Sequence, residues 1–425
     1  MVRLRQSKPG LSELRTKNHE LRKATLILLV LSSYFLLFTS CGSKSHKQFD
    51  PQKVNFKAEA LPFLADQIYP SLLLAGSQAD SSFTVSVTAP ANNAVLRVVV
   101  DSSYLNFVTI LQEILPSRGQ TYTFPITIKW KYDHLRQVRQ HRPLDLTFLC
   151  FINDEQVDIK NLHLDVRSVN ECPLSLRSPE GKIFDTRFLF AAYVNEEHPS
   201  IQQILTDILD QSIVTRFTGY QSGRTKDVTE QAFAVWYYAL NRGISYSSIS
   251  CTANPNPRAN VQHIRFFDEV LNTRQANCID ACVFLASILR KIGLRPVIFV
   301  EPCHAYLGYY TDKKMKNIDL LETTITSWVN FPQLRKSLDE NGRLPEKEFE
   351  KISKYLSDKQ QADYREGRTT TDQLLIQVAR ALFDKAAEYD RETYNNNRDH
   401  FSDPSAIGYQ QLDIQTLRQQ IQPIN

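Results

Sequence analysis

This 425-residue sequence has few cysteines and a small net charge, with seven cysteines and a formal net charge of +4. So few cysteines exclude a scaffold built from disulfides, and a pairing such as Cys150 with Cys172 stays open. The charge is also uneven, because seven basic and two acidic residues give residues 1–41 a charge of +5, which leaves −1 for the remainder. A near-neutral remainder argues against nucleic-acid binding.

A long apolar run is missing as well. The uncharged apolar segment from Ala24 to Phe38 is shorter than the roughly 20 residues that a transmembrane helix needs. Basic residues precede it, and two small residues and Cys41 follow it, which is the pattern of a secretory signal. The sequence therefore predicts an exported protein.

Cys41 makes this segment similar to a bacterial lipoprotein signal, in which the cysteine is lipidated and becomes the mature N-terminus. The resemblance implies a signal peptide over residues 1–41 and a polar tether over 42–80. It also implies a lipid anchor at Cys41 that attaches the protein to a membrane of the bacterial cell envelope, facing the periplasm or the cell surface. An ordinary signal peptide with a chance cysteine is the alternative.

Residues 81–175 have the pattern of β-strands, since segments rich in β-branched and aromatic residues alternate with turn signals. We expect an antiparallel, immunoglobulin-like β-sandwich from this part of the chain. Its strands are predicted over residues 83–87, 96–100, 121–130, 146–152 and 162–166.

The pattern becomes helical after two prolines and a glycine between residues 173 and 181. Residues 181–330 mix helical and strand patterns, so the whole chain is predicted to be α+β. Residues 331–425 are predicted to form a helical C-terminal extension. Apolar residues recur at helical spacing over 345–356 and 372–387, which predicts two amphipathic helices there.

The segment from Asn277 to Gly293 predicts a buried helix with a cysteine in its first turn. Apolar residues cover nearly every face of it, which is typical of a helix at the centre of a domain. At the N-terminus of such a helix, unpaired N–H groups and the positive end of the dipole stabilise a thiolate. Cys278 is therefore a candidate nucleophile, with an inert buried cysteine as the alternative. Cys282, one turn later, is expected to be a core residue.

A cysteine nucleophile needs a base. The candidate is His304, which begins the second predicted strand after this helix. In acyl transfer a carboxylate orients such an imidazole. The predicted strand over 318–324 offers Asp319 and Glu322. Since strand alternation places these two on opposite faces, only one of them can meet the imidazole.

Taken together, these residues resemble the core of the transglutaminase-like superfamily. The matching segments are Asn-Cys-Ile-Asp at 277–280, Leu-Ala-Ser-Ile-Leu-Arg-Lys-Ile-Gly-Leu-Arg-Pro at 285–296 and His-Ala-Tyr at 304–306. The resemblance covers roughly residues 185–328 and implies the fold of papain-like cysteine proteases. It also implies Cys278 as nucleophile, His304 as base and Glu322, which precedes two threonines, as the acid in preference to Asp319.

The expected activity is that of a thiol hydrolase that cleaves a peptide or another amide through a Cys-His-Glu triad and a thioester. A cross-linking transglutaminase and a catalytically inactive binding or assembly module are the alternatives. No cofactor is expected. A zinc site made of Cys278, Cys282, Cys303 and His304 is disfavoured, because neighbouring residues on a strand point to opposite faces.

Overall fold

Helices and strands both occur throughout the computed structural model, which confirms the predicted α+β class. The predicted signal peptide with Cys41 lies outside the residues that the structure describes. No helix among the described residues is both long enough and apolar enough to cross a membrane. The described ranges are 54–60, 66–76, 83–178, 180–248, 258–403 and 405–424.

Strands dominate the first part of the described chain, and most of the later strands lie between helices. They are β1 (Phe56–Ala60), β2 (Gln67–Ile68), β3 (Phe83–Thr88), β4 (Ala94–Val100), β5 (Thr109–Leu115), β6 (Thr121–Ile126), β7 (Arg142–Ile152), β8 (Glu155–Val166), β9 (Glu171–Arg177), β10 (Ile183–Asp185), β11 (Ser245–Tyr246), β12 (Ala259–His263), β13 (Gln275–Ala276), β14 (Pro296–Glu301), β15 (His304–Tyr310), β16 (Ile318–Leu321) and β17 (Gln410–Asp413).

Helices dominate after β10. They are α1 (Pro70–Leu74), α2 (Tyr132–Leu135), α3 (Ile201–Asp210), α4 (Thr225–Arg242), α5 (Phe267–Thr273), α6 (Cys278–Lys291), α7 (Phe331–Lys336), α8 (Glu346–Ser353), α9 (Asp358–Arg365), α10 (Thr371–Ser402) and α11 (Ile414–Leu417). In the described part of the chain, 3₁₀ helices span Arg187–Tyr193 and Thr324–Ser327.

Two sheets form the N-terminal part, with strand orders β1-β3-β6 and β2-β8-β7-β4-β5. Buried residues alternate with more exposed ones along β3, β4 and most of β7, as expected when one face of each sheet lies in a core. The ring centroid of Phe83 on β3 is 6.4 Å from that of Phe148 on β7. The buried faces of the two sheets therefore meet.

Part of the predicted tether, residues 42–80, belongs to these sheets. Phe56 and Ala58 are buried and place β1 beside β3, while β2 pairs with the end of β8 in a parallel arrangement. Every residue of α1 is buried as well. Most of the apolar side chains among the described residues 54–60 and 66–76 lie in the core, so these described residues are not a free linker.

Strand β9, which begins inside residues 81–175 but was not among the predicted strands, pairs with β10 and β12. Since β12 lies far beyond the expected boundary near residues 175–181, this small sheet connects the two halves of the chain. Its register shifts where Pro173 lies opposite Val261. A proline has no N–H for the ladder and is tolerated at such an irregularity, which is why the strand continues past it.

A four-stranded antiparallel sheet, here called the C-terminal sheet, has the order β16-β15-β14-β17. Helix α6 packs against β14 and β15, and α10 packs against β16 and α4. Strand β17 belongs to residues 331–425, which were expected to be helical only. It pairs with β14 so that buried Leu412 lies opposite Ile298. Residues 410–413 therefore belong to this sheet and are not helical.

Phe299 of β14 shows how closely the C-terminal residues are built into the core. Its ring stacks on Tyr306 of β15 with centroids 5.2 Å apart. Tyr394 and Phe401, both on α10, meet the same ring edge-on at 5.3 Å. Burial of four aromatic rings against one another stabilises the contact between helix and sheet.

Candidate active site

Helix α6 begins at Cys278 because a capping box fixes its first turn. The Asn277 side chain accepts a hydrogen bond from the Asp280 N–H at 2.9 Å, and the Asp280 carboxylate accepts one from the Asn277 N–H at 3.0 Å. Such reciprocal bonds satisfy two N–H groups that have no partner within the helix. Cys278 is half-buried and lies at the positive end of the helix dipole.

A buried ion pair holds the same turn. The Asp280 side chain is fully buried, with Arg265 Nη1 2.7 Å from its Oδ2, and the Arg265 N–H donates to its Oδ1 at 2.8 Å. Burial raises the pKa of Asp280 and outweighs the opposing hydrogen bonds from Asn277 and Arg265. The carboxylate therefore depends on these partners to stay charged inside the protein.

Replacing Arg265 with alanine should lower the free energy of unfolding by about 3 kcal/mol, because it leaves Asp280 buried without its counter-charge. Denaturant unfolding of the wild type and the variant measures this loss. The exposed Arg391 is a matched control, and Arg391→Ala should stay within about 0.5 kcal/mol of the wild type. Equal unfolding midpoints for the Arg265 and Arg391 variants would contradict the assigned role.

His304, the first residue of β15, lies between Cys278 and Glu322. Its Nε2 is 2.8 Å from Glu322 Oε2. Its interaction with the neighbouring Cys278 side chain, followed by its hydrogen bond to Glu322, raises the pKa of His304 to about 10 against the effect of burial. The ring is therefore positively charged at neutral pH, and this charge favours a negative sulfur beside it.

Glu322 directly follows β16 and is only 2% exposed. Its Oε1 accepts a hydrogen bond from the Thr324 N–H at 2.7 Å. Burial favours the neutral acid, but the hydrogen bond and charge of His304 outweigh it and lower the pKa of Glu322. Asp319, the other candidate, contacts Thr229 and Tyr309 instead. Of the two acids, Glu322 is the one that His304 meets.

The other described cysteines have different surroundings. Cys282 is fully buried with its Sγ 4.0 Å from Thr323 Oγ1, and burial raises its pKa, as expected for a core residue. Cys303 is exposed in the turn between β14 and β15, where its φ is +68°. Cys150 and Cys172 are buried free thiols, so the disulfide that was left open is not formed.

A cavity of about 470 Å³ lies beside Cys278 and His304. Residues 300–305 line one part of it, and residues 260–262 of β12 line another. Tyr246 also lines it. Burial, followed by the nearby charges of Cys278 and Glu322, raises the pKa of the Tyr246 phenol. The half-buried thiol is thus accessible from a space large enough for part of a substrate.

Asp390 on α10 is the member of this site that the sequence pattern did not single out. Polar atoms of His304, Glu322 and Asp390 all lie within 4.8 Å of one another. The signal that marks it is its position, because it continues the i, i+4 series of Val378, Leu382 and Ala386 on the buried face of α10. An acid on an apolar helix face is rare without a specific role.

The spacing of His304, Glu322 and Asp390 is also one that a divalent cation could bridge. The four residues of the zinc alternative are not gathered in this way among the described residues. In the cluster observed, His304 Nε2 and Glu322 Oε2 are joined directly by a hydrogen bond, so a proton lies between the two atoms that would face an ion. We therefore treat the three side chains as a proton-linked cluster.

Comparison of the sequence with protein-family models and with curated proteins found no match. A cysteine at a helix N-terminus and an imidazolium that is hydrogen-bonded to a buried carboxylate lie beside an open cavity. Residues of these types can carry out acyl transfer through the thiol.

Proposed function

We propose that this protein is a thiol hydrolase of the transglutaminase-like type, which cleaves an amide bond. The observation that carries the proposal is that Cys278 and His304 line one cavity and that His304 is hydrogen-bonded to the buried Glu322. In this proposal Cys278 is the nucleophile, His304 carries the proton, and Glu322 orients the ring and stabilises its charge.

The reaction proceeds in two halves. The Cys278 sulfur attacks the carbonyl carbon of the amide, and the Cys278 N–H at the start of α6 is placed to stabilise the oxyanion. His304 then gives its proton to the leaving nitrogen as the C–N bond breaks, which leaves a thioester. Water attacks the thioester, His304 takes up one proton of the water, and the carboxylic acid leaves as the C–S bond breaks, which restores the Cys278 thiolate beside a charged His304 ring.

The surroundings of the cavity favour a peptide as the substrate. Strand β12 stands at the edge of its sheet among the described strands, and three of its residues line the cavity. The free N–H and C=O groups of an edge strand can pair with an extended peptide, which holds the peptide backbone in a fixed register. A polypeptide laid along β12 would bring one of its amide bonds to Cys278.

The proposal includes the fold of the domain that carries the site and the fold of the N-terminal sheets. The helix that begins with the cysteine, followed by antiparallel strands that carry the histidine and precede the acid, supports a transglutaminase-like, papain-like domain over residues 181–330. The contact between the buried faces of the N-terminal sheets supports an immunoglobulin-like sandwich.

The lipid anchor in a bacterial envelope is proposed from the sequence alone. Cys41→Ser should abolish labelling by a fatty-acid probe.

Hydrolysis of a peptide or cell-wall amide library by the wild type, compared with Cys278→Ser, tests the function. Mass spectrometry should detect cleavage products with the wild type and none with the variant. Addition of a primary amine distinguishes hydrolysis from cross-linking, because a transamidase would yield the amine adduct in place of the acid. A folded wild type that gives neither product, and whose Cys278 is no more reactive than a free thiol, is the inactive binding module.

A further inference from the structure

We propose that Asp390 is a fourth, positioning residue of the site, which in its protonated form donates a hydrogen bond to Glu322 and keeps the Glu322 carboxylate directed at His304. This inference rests on the proposed function of Cys278, His304 and Glu322. It extends the site to α10, in the part of the chain that was expected to be only an appended helical extension.

The burial of Asp390 is the first observation behind this proposal. Its side chain is completely buried, and among the described residues neither of its carboxyl oxygens has a hydrogen-bond partner. A buried carboxyl group without partners costs stability, and an apolar residue would continue the face of α10 at no such cost. A buried polar group that interrupts an apolar helix face in this way is typical of functional sites.

The second observation is that α10 contacts Glu322 at two points one turn apart. The Ala386 carbonyl accepts a hydrogen bond from the Glu322 N–H at 3.3 Å. One turn later, a carboxyl oxygen of Asp390 lies within 4.8 Å of both Glu322 and His304. The backbone of α10 thus fixes the main chain of Glu322, while Asp390 stands next to its side chain, where a small rotation closes a hydrogen bond.

The charges around Asp390 determine where the proton lies. Burial, followed by the negative charge of Glu322, raises the pKa of Asp390 to about 9. Glu322, in contrast, has its pKa lowered by His304. Two carboxylates so close together do not both ionise readily, so at neutral pH Asp390 holds the proton and Glu322 the charge. The titratable groups that face Asp390 are Glu322, His304, Tyr306, Glu301, Cys282 and, on α10 itself, Tyr394.

The test compares Asp390→Asn, Asp390→Leu and the control Asp384→Asn, which changes an exposed residue of the same helix. The readout is the rate constant for alkylation of Cys278 by iodoacetamide between pH 5 and pH 10, with the site located by mass spectrometry. Asp390→Leu should slow alkylation at pH 7 about tenfold, as loss of a supporting partner commonly does, while Asp390→Asn, which keeps a donor, should stay within about twofold. The wild-type profile should show an inflection near pH 9 that Asp390→Asn lacks.

A second readout does not require Cys278 to react. The unfolded chain releases the Asp390 proton near pH 4, whereas the folded protein keeps it up to about pH 9. Folding therefore takes up a proton between these values, so stability falls as pH rises through this interval. The melting temperature of Asp390→Asn should rise above that of the wild type, increasingly so towards pH 9. In a Glu322→Gln background the difference should shrink, since the Glu322 charge, the second cause after burial of the raised Asp390 pKa, is gone.

The proposal is overturned if Asp390→Leu alkylates with the wild-type rate and profile, or if folded Asp390→Asn is as slow as the leucine variant. It is also overturned if a chelator slows the wild type and Zn²⁺ or Mn²⁺ restores it, because the three side chains then bind a metal. A wild-type Cys278 that does not react refutes the proposed function. The melting comparison still decides whether Asp390 holds its proton beside Glu322.

Discussion

His304→Ala is expected to slow the alkylation of Cys278 by iodoacetamide about a hundredfold at pH 6.5. An ordinary thiol with a pKa near 8.5 is only about 1% ionised at that pH, and the thiolate is the reacting species. In the wild type, His304 stays charged up to a pKa of about 10, so its positive charge stabilises a negative sulfur across this range. Near pH 9.5 the two rates should converge, because an unassisted thiol is then ionised as well.

Glu322→Gln should give an intermediate rate, because glutamine can accept a hydrogen bond from His304 but does not stabilise its charge. A matched control is His163→Ala, since this exposed histidine of β8 also pairs with a carboxylate, that of Asp145. The control should alkylate at the wild-type rate. If His304→Ala and His163→Ala behave alike at pH 6.5, Cys278 is an ordinary thiol and the triad does not operate.

Phe383→Ala should lower the free energy of unfolding by about 3–5 kcal/mol, the usual cost of removing a buried phenylalanine ring. Phe383 lies on α10, only 3% exposed. Its ring meets those of Phe233 and Trp236 on α4 edge-on, at centroid distances of 5.5 Å each. Because α10 also packs on β16, the C-terminal sheet should lose stability together with the helix. Denaturant unfolding followed by circular dichroism measures the total loss.

Hydrogen exchange of residues 296–310 tests whether the C-terminal sheet loses stability together with α10. These amides of β14 and β15 should exchange faster in Phe383→Ala than in the wild type, since one cooperative unit opens as a whole. Tyr389→Ala changes an exposed residue of the same helix and should leave both measurements unchanged. Faster exchange confined to residues 331–425 would show that these residues are an independent extension after all.

The helix with Cys278 could be predicted because its signals are local. Asn277 is a capping residue, the run that follows is apolar, and Gly293 ends the helix with a φ of +83°, which only glycine adopts readily. The alternation of buried residues in β3 and β4 is equally local. In both cases the pattern within a few residues is sufficient, because it reflects a single face of one element.

The parts that could not be predicted depend on contacts between distant residues. Strand alternation showed that only one of Asp319 and Glu322 could meet His304, and the choice of Glu322 came from the resemblance to a family and not from the strand pattern. Nothing near β9 in sequence indicates that it pairs with β12, and nothing near Leu412 indicates that β17 joins β14. The buried position of Asp390 could be read from helix periodicity, but its partner Glu322 lies 68 residues away and only the packing of α10 brings them together.

The pH profile of thiol alkylation in the unmodified protein tests the central claim most directly. Cys278 and the exposed Cys303 line the same cavity but differ in their contact with the His304 ring, so they form an internal comparison. We predict that between pH 5.5 and pH 8 iodoacetamide modifies Cys278 faster than Cys303, by about a hundredfold at pH 6.5, because the charge of the His304 ring stabilises a negative sulfur beside it. Equal rates at the two cysteines across this range would contradict a thiolate stabilised by His304 and, with it, the proposed enzyme.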